Sequence, residues 1–109
     1  MKRIALFTGF SILSAGCALA QGTGMQVYGS GTISCATYLN DRSARVNADG
    51  WLLGFWTGNN QAGETHNVGK STDSRGIVGE VAKACQDQPS VSLFETGKQV
   101  FDRLKKEGR

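Results

Sequence analysis

From Ile33 onward, apolar residues recur at three- and four-residue intervals, the period of a helix with one buried face. No stretch alternates with period two for long enough to make a sheet. Cys35, Tyr38 and Leu39 set the first stripe, which ends around Asn40 to Ser43. Ala48, Trp51, Leu52, Phe55 and Trp56 follow the i, i+3, i+4, i+7, i+8 pattern and predict the central helix. Gly54 and Gly58 lie four residues apart on one side of it. Each costs about 1 kcal/mol of helix propensity, and close approach of a neighbouring helix is the natural compensation, with a tolerated or terminating glycine an equal reading for Gly58. Polar residues punctuated by Gly63 and Gly69 predict a long loop from Gln61 to Ser74.

Ile77, Val78, Val81, Ala82 and Cys85 form the third stripe, with Thr72, Asp73 or Ser74 available as its amino-terminal cap. Pro89 ends that helix, and Ser92 with Glu95 has the spacing of a capping box for the next. The last helix carries Leu93, Phe94, Gly97, Val100, Phe101 and Leu104 on its inner face. Its basic exit, through Arg103, Lys105 and Lys106, suits the negative end of the helix dipole. The pattern therefore predicts an all-α fold, a small bundle of about four short helices.

The amino terminus has a different character. Met1-Lys2-Arg3 is basic, Ile4 to Leu13 is mostly apolar, and Ala18-Leu19-Ala20 fits the small-x-small rule for signal-peptidase cleavage. Residues 1–20 are therefore read as a secretory signal helix that is cleaved, and the apolar run is too short for a membrane span. An alternative processing route is open, because Leu13-Ser14-Ala15-Gly16-Cys17 resembles a lipoprotein box in which Cys17 is acylated. Residues 21–32 are Gly- and Ser-rich and read as a flexible leader, and residues 33–109 as a single helical domain. Losing Lys2 and Arg3 with the signal lowers the 12 basic residues to ten against 9 acidic ones. Such a balanced surface argues against nucleic acid as a partner.

Export decides the role of the remaining cysteines. With Cys17 discarded or lipidated, Cys35 and Cys85 are left as a pair in an oxidising compartment and are expected to form a disulfide. A metal site is not expected, since His66 is the one imidazole available, and no cofactor motif is present. Catalysis is not expected either. His66 lies in the polar loop, no thiol is spare, and the carboxylates do not pair on a buried face. Trp51, Phe55 and Trp56 could form an aromatic ligand surface, with core packing the more usual role for residues at that spacing.

Several of these residues together resemble a known family. Ser34-Cys35 with Tyr38-Leu39, the run Gly50-Trp51-Leu52-Leu53-Gly54-Phe55-Trp56-Thr57-Gly58-Asn59, Val81 to Cys85 with Pro89, and a final amphipathic helix are similar to the HdeA/HdeB-like proteins of bacterial periplasms. The resemblance implies a periplasmic, disulfide-stapled helical acid-stress chaperone that is a homodimer near neutral pH. It implies that acid dissociates the dimer and exposes the apolar helix faces, with Trp51, Leu52, Phe55 and Trp56, to unfolding clients. The longer polar insert after the central helix and the Gly-rich leader depart from that pattern. A second resemblance, to immunity proteins that neutralise toxins of type VI secretion systems, implies instead a module for one specific protein partner.

Overall fold

In the computed structural model, which describes residues 24–109, four α-helices form where the apolar stripes predict them. These are α1 (Cys35–Asn40), α2 (Arg42–Ala62), α3 (Ser74–Asp87) and α4 (Leu93–Lys106). Each starts on a side chain that satisfies an orphan backbone donor: Ser34, Asp41, Asp73 and Ser92 accept from the N–H groups of Thr37, Ala44, Gly76 and Glu95 respectively. Asp41 alone separates α1 from α2, serving as the end of one and the cap of the other. No strand occurs among the described residues. An isolated antiparallel bridge joins Ser34 to Ser92.

That bridge brings the starts of α1 and α4 together. Cys35 N–H donates to the Val91 carbonyl at 2.8 Å, Ala36 N–H to that of Pro89 at 2.9 Å, and Leu93 N–H to that of Ile33 at 2.8 Å. The turn that Pro89 imposes after α3 therefore supplies acceptors for donors that α1 cannot satisfy itself. Cys35 and Cys85 form the expected disulfide, joining α1 to α3 with their Cα atoms 5.0 Å apart. Closing a loop with a sequence separation of 50 contributes about 4 kcal/mol in the chain-entropy account.

The core forms around this bond from Tyr38, Ala48, Leu52, Trp56, Val81, Leu93, Val100, Phe101 and Leu104, all buried. Thr96 is its buried polar residue. The Thr96 hydroxyl lies 3.2 Å from Cys35 Sγ and donates to it, since a half-cystine has no proton to give. The same oxygen accepts from Gln88 Nε2 at 2.9 Å. Tyr38 donates its phenolic proton to Asp49 Oδ1 at 2.5 Å. Burial, and next that hydrogen bond, push the Tyr38 phenol well above its ordinary range.

Three expectations are revised. Gly54 and Gly58 receive no neighbouring helix: both face open space, and a side chain added at either would meet nothing within 4 Å. The close approach occurs at Gly97 of α4, where an added Cβ would sit 2.9 Å from Leu52 Cδ1. Secondly, the final residues of the expected flexible leader are structured, because Gly29–Thr32 forms one 3-10 turn packed on α2. Lastly, α2 extends to Ala62, and the segment after it is anchored to the body. Asn60 Nδ2 donates to the Val68 carbonyl while Val68 N–H donates to Asn60 Oδ1, and Val68 itself is buried. His66 is exposed there and gives its Nδ1–H to the Asn60 carbonyl at 2.8 Å. No helix among the described residues is long and apolar enough to cross a membrane. The expected signal at 1–20 and Cys17 lie outside the described residues.

Candidate functional site

Helix α2 is apolar over more than its core-facing stripe, and the excess makes a site. Leu52 and Trp56 point into the core and are 0% and 3% exposed. Trp51 and Phe55, one position earlier on the helix, are half-buried and edge the core. Their rings stack with centroids 5.4 Å apart and planes within 7°. Phe94, on the first turn of α4, meets Phe55 edge-on at 5.6 Å. Three aromatic rings from two helices thus form a continuous ledge, held in the offset and T-shaped geometries that aromatic quadrupoles favour.

The ledge is the floor of an open cleft of about 410 Å³. Its opposite wall comes from the chain before the 3-10 turn, through Met25, Val27 and Tyr28. Asn59 and Lys98 are on the polar rim. Lys98 is engaged in an exposed ion pair with Asp102 at 2.7 Å, and Asn59 Nδ2 donates to the Phe55 carbonyl at 2.7 Å. Trp51 connects wall and floor: its indole N–H donates to the Tyr28 carbonyl at 2.9 Å. The indole lies so close over the 3-10 turn that a Cβ at Gly31 would fall 2.2 Å from its ring. Glycine is therefore required there by packing.

Such a cleft offers dispersion, ring stacking and desolvation, with few fixed polar groups to orient a small polar substrate. It suits an apolar or aromatic side chain. A second groove of about 240 Å³, between α3 and α4, is polar and lined by Glu80, Lys83, Ala84, Asp87 and Arg103. Arg103 donates to Glu80 Oε2 at 2.8 Å, and this bond holds the Glu80 carboxyl below its ordinary range. No group of His, Cys, Asp or Glu among the described residues is gathered for a metal ion.

The four residues taken from the sequence as one client surface separate into two pairs. Trp51 and Phe55 line the cleft, whereas Leu52 and Trp56 are sealed in the folded core. Leu52 and Trp56 thus take the core role that residues at that spacing also allow, with α4 packed against Leu52 at Gly97. Sequence reasoning missed Phe94, assigned wholly to the interior, and also Val27 and Tyr28, assigned to a leader. The Val27-Tyr28 apolar pair amid glycines was the available signal. No family model, curated protein or solved structure matches the chain.

Proposed function

We propose that this is an exported, periplasmic acid-stress chaperone that captures apolar segments of unfolding proteins, first at the Trp51, Phe55 and Phe94 ledge and then, in acid, along the rest of α2. The observation that carries this reading is the open aromatic ledge itself, an apolar surface continuous with the core. Electrostatics supports the acid step. Asp41 and Asp73 cap helices through their carboxylates, and Glu80 ties α3 to Arg103 of α4. Strong acid neutralises all of them and leaves the chain with its positive charges only, so self-repulsion and lost caps loosen the bundle while the disulfide keeps α1 and α3 joined. Leu52 and Trp56 then add to the client surface. A homodimer near neutral pH fits the same reading.

The test is suppression of aggregation of an acid-labile client at about pH 2 to 3, with the double variant Trp51→Ala and Phe55→Ala as control. Protection by the wild type that weakens in the variant is the expected result; absence of protection at every ratio sinks the proposal. A second reading, a module for one specific partner such as a type VI immunity protein, draws on the same ledge being open without unfolding. It predicts one tight complex at neutral pH and no general protection in acid.

A further inference from the structure

Phe94, Lys98 and Asp102 follow one another at four-residue intervals on α4 and so share one face of that helix. Phe94 belongs to the aromatic ledge, and Lys98 stands on the rim of the cleft above it. Among the described residues that line the cleft, Lys98 alone is charged, and none is a carboxylate. The present partner of Lys98 lies one turn further along α4, away from Phe94. Lys98 Nζ donates to Asp102 Oδ2 at 2.7 Å, and both side chains are more than half exposed. An exposed pair of this kind holds weakly in water, and an ammonium has further donors to offer a second carboxylate. The polar groove between α3 and α4 differs in kind, since it carries both signs of charge and no ring.

We infer that the cleft takes extended peptide segments in which an aromatic residue has an acidic residue two places away, the ring lying on Trp51, Phe55 and Phe94 and the carboxylate meeting Lys98. The inference rests on the reading of the ledge as a capture site and narrows what is captured there. Charge complementarity selects the acidic group, because Lys98 is the one fixed charge that a segment on the ledge meets in the described lining. Spacing selects its position. One helical turn separates Phe94 from Lys98, about 6 Å along α4. In an extended chain, side chains two places apart point to the same side at about 7 Å from one another. Adjacent side chains point to opposite sides, so an acidic residue directly beside the aromatic one is turned away from Lys98. A basic residue at the matching position meets Lys98 as a like charge. The cleft thus sorts segments of equal apolarity by the charge near their ring.

The test is titration of the full chain at neutral pH and low salt with four tripeptides blocked at both ends, read by tryptophan fluorescence. They are phenylalanine-serine-aspartate, its asparagine and lysine counterparts, and the reordered phenylalanine-aspartate-serine. The first is expected to bind about threefold more tightly than its asparagine counterpart, the factor that an exposed ion pair supplies, and added salt should erase the difference. The lysine peptide should bind more weakly than the asparagine one, and reordering should remove the advantage of aspartate. Lys98→Gln is expected to bring the aspartate-to-asparagine ratio to about one. Asp102→Asn removes the competing carboxylate and should raise that ratio above the wild-type value. Equal binding of all four peptides, or a ratio that Lys98→Gln does not move, overturns the inference and leaves capture at the ledge standing. Peptide binding that falls away as the chain concentration rises gives the ledge to a second copy and overturns it as well. No binding of any peptide overturns the capture reading and this inference with it.

Discussion

The two tryptophans of α2 carry out the same local chemistry with opposite consequences. Trp56 gives its indole N–H to the Val68 carbonyl at 2.8 Å, and Trp51 gives its own to the Tyr28 carbonyl at 2.9 Å. Each ties an irregular segment to the helix. Around Trp56 the tie is one of several: Asn60 holds Val68 from both sides, Val68 is buried, and Phe101 meets the indole edge-on at 5.0 Å. Around Trp51, stacked on Phe55 and close over Gly31, the tie reaches a residue whose side chain is exposed, and the ring lines the cleft. Redundancy of contacts, more than the hydrogen bond itself, separates a structural tryptophan from one available for binding.

The largest break in this symmetry is expected from Trp56→Ala. Truncating a buried Trp costs about 3–5 kcal/mol, and it also frees Val68 and the segment after α2. For Trp51→Ala the expected loss is about 1–2 kcal/mol, since the ring is half-exposed. A difference between the two variants in denaturant midpoints checks the comparison. Equal losses would show that the cleft tryptophan is as structural as the core one. Gly97→Ala sharpens it from the other helix: the added methyl meets Leu52 at 2.9 Å and Phe55 at 3.7 Å. It should cost about 1–3 kcal/mol by overpacking, and it should perturb both the core and the ledge, read by near-ultraviolet circular dichroism.

Two titrations bound the smallest effects. Glu80 has its carboxyl held below the ordinary 4.5 by Arg103, so its contribution is present above that value and is lost as pH falls through the folded-state value. Both partners are substantially exposed, so Glu80→Gln should change neutral stability only slightly and flatten the acid limb of the stability profile. Tyr38 behaves with the opposite sign. Its phenol ionises less readily folded than unfolded, so stability should decline above about pH 10, and Tyr38→Phe should remove that decline. Thermal melts across pH measure both.

Much of this architecture was legible in the residues. Periodicity located all four helices, the cap at Ser92 followed from its side chain, Asp73 was one of three candidates for the cap of α3, and the cysteine count gave the bond between Cys35 and Cys85. The division of α2 into a core face and a cleft face was not legible, because Trp51, Leu52, Phe55 and Trp56 satisfy one helical stripe equally well. Their separation is decided by partners distant in sequence: Gly97 admits α4 against Leu52, and Gly31 seats the Trp51 indole. Gly54 and Gly58 carried a plausible packing signal, yet their side of α2 has no neighbour. Spacing within one helix cannot tell which glycine another element will approach.

The claim that α2 supplies client surface in two stages is tested most directly by client aggregation assays at neutral pH and at about pH 3, comparing wild type with the double variant Trp51→Ala and Phe55→Ala. The account predicts weak, ledge-dependent capture at neutral pH that the double variant abolishes. It predicts stronger protection in acid, part of which survives in the variant as Leu52 and Trp56 emerge. Protection that is absent at both values, or that is as strong in the double variant as in wild type at both, would contradict it.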